Sequence, residues 1–179
     1  MNLRLVTGGV RSGKSRFAES LARSLGGRVL VVVTGAPGDE EMKRRIEEHR
    51  SRRPSGWNVL EEPVRLAERL REVPPHDVVL VDGMSTWVSN RLLASEEKAL
   101  RNPEVFEAEI VEECRNFLDR LGCHRHAILV TDETGLGGVA MSPLGRRFQD
   151  VLGLVNQEAA HRADEVWFVI SGIPWRIKG

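Results

Sequence analysis

Residues 1–20 read MNLRLVTGGVRSGKSRFAES: a short apolar run, a glycine-rich loop closing on Gly-Lys-Ser, and the start of an amphipathic stretch. The loop Gly8-Gly9-Val10-Arg11-Ser12-Gly13-Lys14-Ser15 fits G-x-x-x-x-G-K-[ST], and it has an apolar strand pattern before it and a helix pattern after it, as that motif requires. In such a loop, successive backbone N–H groups wrap a phosphate chain and the helix N-terminus adds partial positive charge. Lys14 would reach the β and γ oxygens, and the Ser15 hydroxyl would serve a magnesium ion. The stretch therefore predicts a nucleotide-binding site and, with it, the topology of the chain around it.

Outward from this loop, short β-branched runs alternate with longer helical patterns. They lie at 3–7, 28–35, 77–83, 126–133 and 165–173, each too apolar for a sheet with one wet face. Stacked βα units around a mostly parallel sheet, with helices on both faces, are the expectation. Phe17, Leu21 and Leu25 with Ala18 and Ala22 make the stripe of the first helix, which Gly26 and Gly27 stop. Asp39 is a cap for a second helix, and Pro54 bars its continuation. Asn102-Pro103 opens a long helix with Phe106, Ile110, Cys114, Phe117 and Leu121 on one face, closed by Gly122. A last helix runs from about Leu144 to about Ala163, with Phe148, Val151, Leu152, Val155 and Ala159 inward. Residues 95–102 read as a polar connection, and no repeat or linker divides residues 1–179, so a single nucleotide-binding domain is expected.

Composition narrows the partners. Lysine plus arginine equals aspartate plus glutamate at 26 each, so no net field draws the molecule to nucleic acid or an anionic membrane. Four scattered tryptophans form no basic-aromatic stripe, and no apolar run approaches the roughly 18 residues that cross a bilayer. Cys114 and Cys123 match no disulfide framework or CxxC site and read as reduced, buried thiols of a cytoplasmic protein. His124, His126 and His161 lack metal-ligand spacing and read as ordinary polar residues.

Ligands of an open parallel sheet bind at the carboxyl ends of its strands, which gathers residues 8–15, 34–38, 82–85 and 132–143 onto one edge. Asp82 ends the run Val78-Val79-Leu80-Val81 and would deliver a carboxylate beside the first strand, where with Ser15 it would hold magnesium. Ser85 is assigned nothing beyond a cap for the next helix. The glycine-rich loop 132–143 is of the kind that forms lids or substrate contacts, and it leads to Arg146 and Arg147. In RRIEEHRSRRP (44–54), helical spacing puts His49 on one face with Arg45, Arg52 and Arg53. Arginines around it would keep the histidine neutral and nucleophilic while holding an anion beside it. The same pattern also describes a solvated charged helix with Glu48 and Arg52 paired, and the pattern alone favours that.

Together, TGGVRSGKS, RIEEHRSRRPSGW, LVDGMSTWVSN, the Glu-Thr-Gly loop and RRFQDVLGLVNQEAAHRADEVWFVISGIPWRIK resemble, in order and over nearly the whole chain, the bifunctional adenosylcobinamide kinase/adenosylcobinamide-phosphate guanylyltransferase family. The resemblance implies a RecA-like P-loop fold, a homotrimer, ATP and GTP as substrates with Mg2+, and adenosylcobinamide as acceptor. It implies phosphorylation of the corrinoid's aminopropanol hydroxyl, then transfer of GMP from GTP through a guanylyl-histidine. His49 falls at that histidine, with Arg50, Ser51, Arg52 and Arg53 in the nucleotide-contacting stretch after it. Thr34, Gly35, Ala36 and Glu61 fall at other nucleotide positions, and Asp82 at the acidic strand end. Two departures stand out. Asp132-Glu133-Thr134-Gly135 replaces the usual Asn-Glu-Val-Gly, and Val139-Ala140-Met141-Ser142-Pro143 replaces a tighter Val-Pro; both bear on substrate preference. A simple P-loop kinase predicts no protein-GMP adduct, and a regulatory GTPase would be expected to carry an Asn-Lys-x-Asp stretch for guanine, which the chain lacks.

Overall fold

The computed structural model describes residues 1–35 and 53–179. Seven strands form one sheet in the order β3-β2-β4-β5-β1-β6-β7, with β1 Asn2–Gly8, β2 Val29–Val33, β3 Asn58–Glu61, β4 Val78–Asp82, β5 His126–Val130, β6 Glu165–Ile170 and β7 Ile173–Lys178. The first six are parallel neighbours, and β7 returns antiparallel along β6. Among the described residues the α-helices are α1 Lys14–Leu25, α2 Leu66–Arg71, α3 Met84–Ala94, α4 Glu96–Arg101, α5 Pro103–Leu121 and α6 Pro143–Arg162.

The period of two along each central strand sorts side chains between two cores. Val6, Val31, Leu80 and Ile128 point to the face covered by α1, where Ala18 and Ala22 are fully buried and Phe17, Leu21 and Leu25 pack alongside. Leu5, Leu30, Val32, Val79, Val81 and Leu129 point to the other face, against Trp87 of α3, Phe106, Ile110 and Phe117 of α5, and Val151 and Val155 of α6. The small Ala18 and Ala22 let α1 lie close over β4 and β5. That is how a helix that begins at the end of β1 reaches the end of β4.

Several sequence expectations change in detail. The run 165–173 is two strands, broken by a turn in which Ser171 and Gly172 both take positive φ, 51° and 82°. Strand β7 escaped the pattern because it is exposed along its whole length and carries Pro174, which an edge strand tolerates. Strand β3 is four residues long and mostly exposed. Residues 95–102 are not a simple connection: α4 occupies most of them, and Ala99 is its buried anchor. Helix α5 begins at Pro103 as expected, although the Asn102 side chain makes no cap bond. The two cysteines part company. Cys114 is buried, and burial with nearby Glu158 pushes its thiol up to about 12, whereas Cys123 is exposed. The helix expected from Asp39 lies outside the described residues.

Candidate active site

The loop after β1 is held open by its neighbours. Gly13 has φ +95° and caps α1, where a side chain would be strained, and a Cβ on Gly8 would sit 2.4 Å from the backbone oxygen of Val169. Ser12 N donates to Gly9 O at 3.2 Å, and the β6–β7 turn closes on the loop from outside, with Gly172 N donating to Ser12 O at 2.8 Å. From the other side, Glu133 N donates to Gly8 O at 3.1 Å. Val10 stands out into solvent.

Three strand ends converge here. Lys14 Nζ is ion-paired with Asp132, just beyond β5, and donates to Gly9 O at 3.2 Å. The Ser15 hydroxyl donates to Asp82 Oδ1 at 3.3 Å, and Arg53 Nη2 lies 3.5 Å from Asp82 Oδ2 with its side chain 6% exposed. The expectation that Asp82 comes up beside the first strand is corrected: β5 lies between β4 and β1, and Ser15, in the first turn of α1, makes the contact across it. Thr34 is fully buried. Its hydroxyl donates to Gly83 O at 2.7 Å and accepts from Gly83 N at 3.0 Å, so it ties β2 to the turn after Asp82. Asn90 Nδ2 donates to Thr34 O at 2.8 Å. Gly35 follows on the same edge, and Glu61 ends β3 opposite Val33, at the outer side of that edge. Ala36, His49, Arg50, Ser51 and Arg52 lie outside the described residues.

Ser85 is not a helix cap. It is buried, and its hydroxyl donates to Asp132 Oδ2. Behind it, Asn156 of α6 accepts from Thr131 Oγ1 at 2.7 Å and donates to Asp132 O at 3.0 Å, fixing the strand end that carries the carboxylate. Sequence reading put Asp132 and Ser85 on this edge and tied Asp132 to substrate preference, but it gave neither a partner and left Asn156 out. The available signal was that Asp132, like Asp82, ends an apolar run on the active edge. The loop 132–143 is pinned by α6: Gln149 accepts from Ala140 N and donates to Gly138 O, both at 2.8 Å, and Arg146 donates to the carbonyls of Ala140 and Met141. Its apolar side chains Leu136, Val139 and Met141 remain exposed. Arg147 turns away to Glu107 and Asp150.

The family model for cobinamide kinase / cobinamide phosphate guanyltransferase matches residues 4–177. The bifunctional adenosylcobalamin biosynthesis protein CobP of Pseudomonas aeruginosa is 43% identical over 176 residues, covering 98% of this chain and 96% of that protein. The bifunctional adenosylcobalamin biosynthesis protein CobU of Escherichia coli is 39% identical over 181 residues, covering 97% and 98%. In fold, the chain is similar to a prototypical ATPase from the type III secretion system of pathogenic bacteria, with a TM-score of 0.56 at 11% identity, over 93% of this chain and 50% of that one. That likeness is one of fold, a mostly parallel sheet flanked by helices. With the match running from β1 to β7, the chain belongs to the cobinamide kinase / cobinamide phosphate guanyltransferase family.

Proposed function

We propose that residues 1–179 act as one nucleotide-binding domain that performs two successive transfers on one corrinoid. In the first, the hydroxyl oxygen of the aminopropanol arm of adenosylcobinamide bonds to the γ-phosphorus of ATP or GTP. The bond to the bridging oxygen breaks, the nucleoside diphosphate leaves, and the hydroxyl proton passes to a base. In the second, a ring nitrogen of His49 attacks the α-phosphorus of GTP and pyrophosphate leaves. An oxygen of adenosylcobinamide phosphate then takes GMP from His49, giving adenosylcobinamide-GDP and restoring the imidazole. Splitting the transfer replaces one difficult displacement with two easier ones.

The observation that carries this reading is the convergence of Lys14, Ser15 and Arg53 on the carboxylates of Asp82 and Asp132 at the ends of three parallel strands. Lys14 and the N–H groups of residues 8–15 would bind the phosphates. Arg53, four residues beyond His49 in the chain, lies on the same edge. We assign Thr34, Gly35, Ala36, Arg50, Ser51, Arg52, Arg53, Glu61 and Asp82 to the nucleotide and His49 to the covalent step. Ser15 and Asp82 are adjacent hard oxygen donors, which suits Mg2+. Among the described residues no group of three or more His, Cys, Asp or Glu could hold a metal ion. When bound, magnesium would neutralise charge on the phosphate oxygens.

The working assembly in this reading is a cytoplasmic homotrimer. The exposed Ile173, Trp175 and Ile177 of β7 offer apolar surface for another copy to cover. No helix among the described residues is long and apolar enough to cross a membrane. The test is incubation of the purified protein with adenosylcobinamide, ATP, GTP and magnesium, followed by mass spectrometry of the corrinoid. The expected masses rise first by a phosphate and then by GMP. A product that stops at the phosphate reduces the protein to a kinase.

A further inference from the structure

In this structure Lys14 already has an anionic partner. Its ammonium is paired with the Asp132 carboxylate, and the two side chains are 12% and 24% exposed, so the pair is largely shielded from water. The carboxylate is in turn fixed from two sides. The buried Ser85 hydroxyl donates to its second oxygen, and Asn156 donates to the backbone carbonyl of the same residue. Lys14, by contrast, sits on a flexible four-carbon stem, and its other partner is a loop carbonyl, Gly9 O. The rigid member of the pair is the acid and the movable member is the base.

We propose that Asp132 positions Lys14 and competes with an incoming phosphate chain for it, so that nucleotide enters only by drawing the ammonium off Asp132. The proposal rests on reading residues 8–15 as the phosphate loop. Two contributions oppose entry. The ion pair is broken, and Asp132 is left as a half-buried carboxylate without its cation, beside arriving phosphates of like charge. A polyphosphate overcomes both because its several negative charges and the loop N–H groups act together on one lysine stem. Asp132 therefore acts as a threshold on affinity through Lys14, while Ser85 and Asn156 keep that threshold from relaxing.

The test is calorimetric binding of GTP in excess chelator at fixed ionic strength. It uses wild type, Asp132→Asn and Asp132→Ala, and the same changes in a Lys14→Ala background. Both neutral variants should bind metal-free GTP about fivefold more tightly than wild type, one ion pair's worth of competition removed. That gain should vanish once Lys14 is absent, because the cycle isolates the pair. Unchanged or weaker binding in the neutral variants would overturn the proposal. So would tightening with Asn alone, which would credit the carboxamide and not the lost charge, or a gain that persists without Lys14. If none of the proteins binds GTP even with magnesium added, the phosphate-loop reading fails and takes this proposal with it.

Discussion

Asn156 shows how a single side chain on the far layer supports the chemistry. It is 8% exposed, and it completes the hydrogen bonding of both the Thr131 hydroxyl and the Asp132 carbonyl. Replacing it with leucine keeps the volume but leaves those two groups without partners in a dry setting. The expected cost is about 1–3 kcal/mol of folding stability, read as a shift of the urea midpoint. Such support was not legible in the sequence. Lys14, Ser15 and Asp82 announce themselves by local pattern, but which strand lies between β1 and β4 is a property of topology. Only that order brings Asp132 to Lys14 and gives Ser85 a carboxylate to bond. Arg53 entered the site through the family resemblance, because its spacing from His49 alone favoured a solvated helix, and its Asp82 partner was not legible.

At the scale of elements, the phosphate loop depends on the β6–β7 hairpin as much as on its own glycines. The turn bonds Ser12 through Gly172 N, and β6 leaves no room for a side chain at Gly8. Gly8→Ala would set a methyl group against the fixed Val169 carbonyl, so the loop or the β1–β6 pairing must shift. Calorimetry should show GTP affinity falling by about tenfold or more, with a thermal midpoint several degrees lower. Gly9→Ala, whose Cβ would meet nothing within 4 Å, should keep the midpoint near that of wild type. The apolar strands and the stripes of α1, α5 and α6 were readable because burial writes its period into the sequence. Strands β3 and β7 and helix α4 were not, because short exposed elements held by backbone bonds and one or two anchors leave little apolar period to read.

Across the whole molecule, the end of the sheet opposite the nucleotide site holds a buried histidine pair. His124 Nδ1 accepts from His76 N at 3.0 Å, and Asn58 Nδ2 lies 3.0 Å from His76 Nε2. Burial, and secondarily the neighbouring His76, lower the pKa of His124 below its ordinary 6.5. On acidification the unfolded chain therefore takes up its proton first. Stability is full above about pH 6.5 and is lost as pH falls through the folded-state value, below which the loss levels off. Urea titrations of wild type should show this decline, and His124→Gln should flatten it. A residual slope should come from His126, which burial, with Arg4 and Arg125, lowers in the same sense. Of His124, His126 and His161, all read as ordinary polar groups, His124 is instead buried, and no periodic signal marks a polar residue buried where strands begin.

The central claim is the covalent step at His49, and the most direct measurement follows the α-phosphate. Purified wild type and His49→Ala are incubated with magnesium and GTP labelled at that phosphorus, denatured, and exposed to acid or neutral buffer. Wild type should retain a label that acid releases, as a phosphoramidate does, and the variant should retain none. A wild-type protein that binds GTP and carries no label would contradict the guanylyl-histidine and leave phosphoryl transfer as the chemistry of this site.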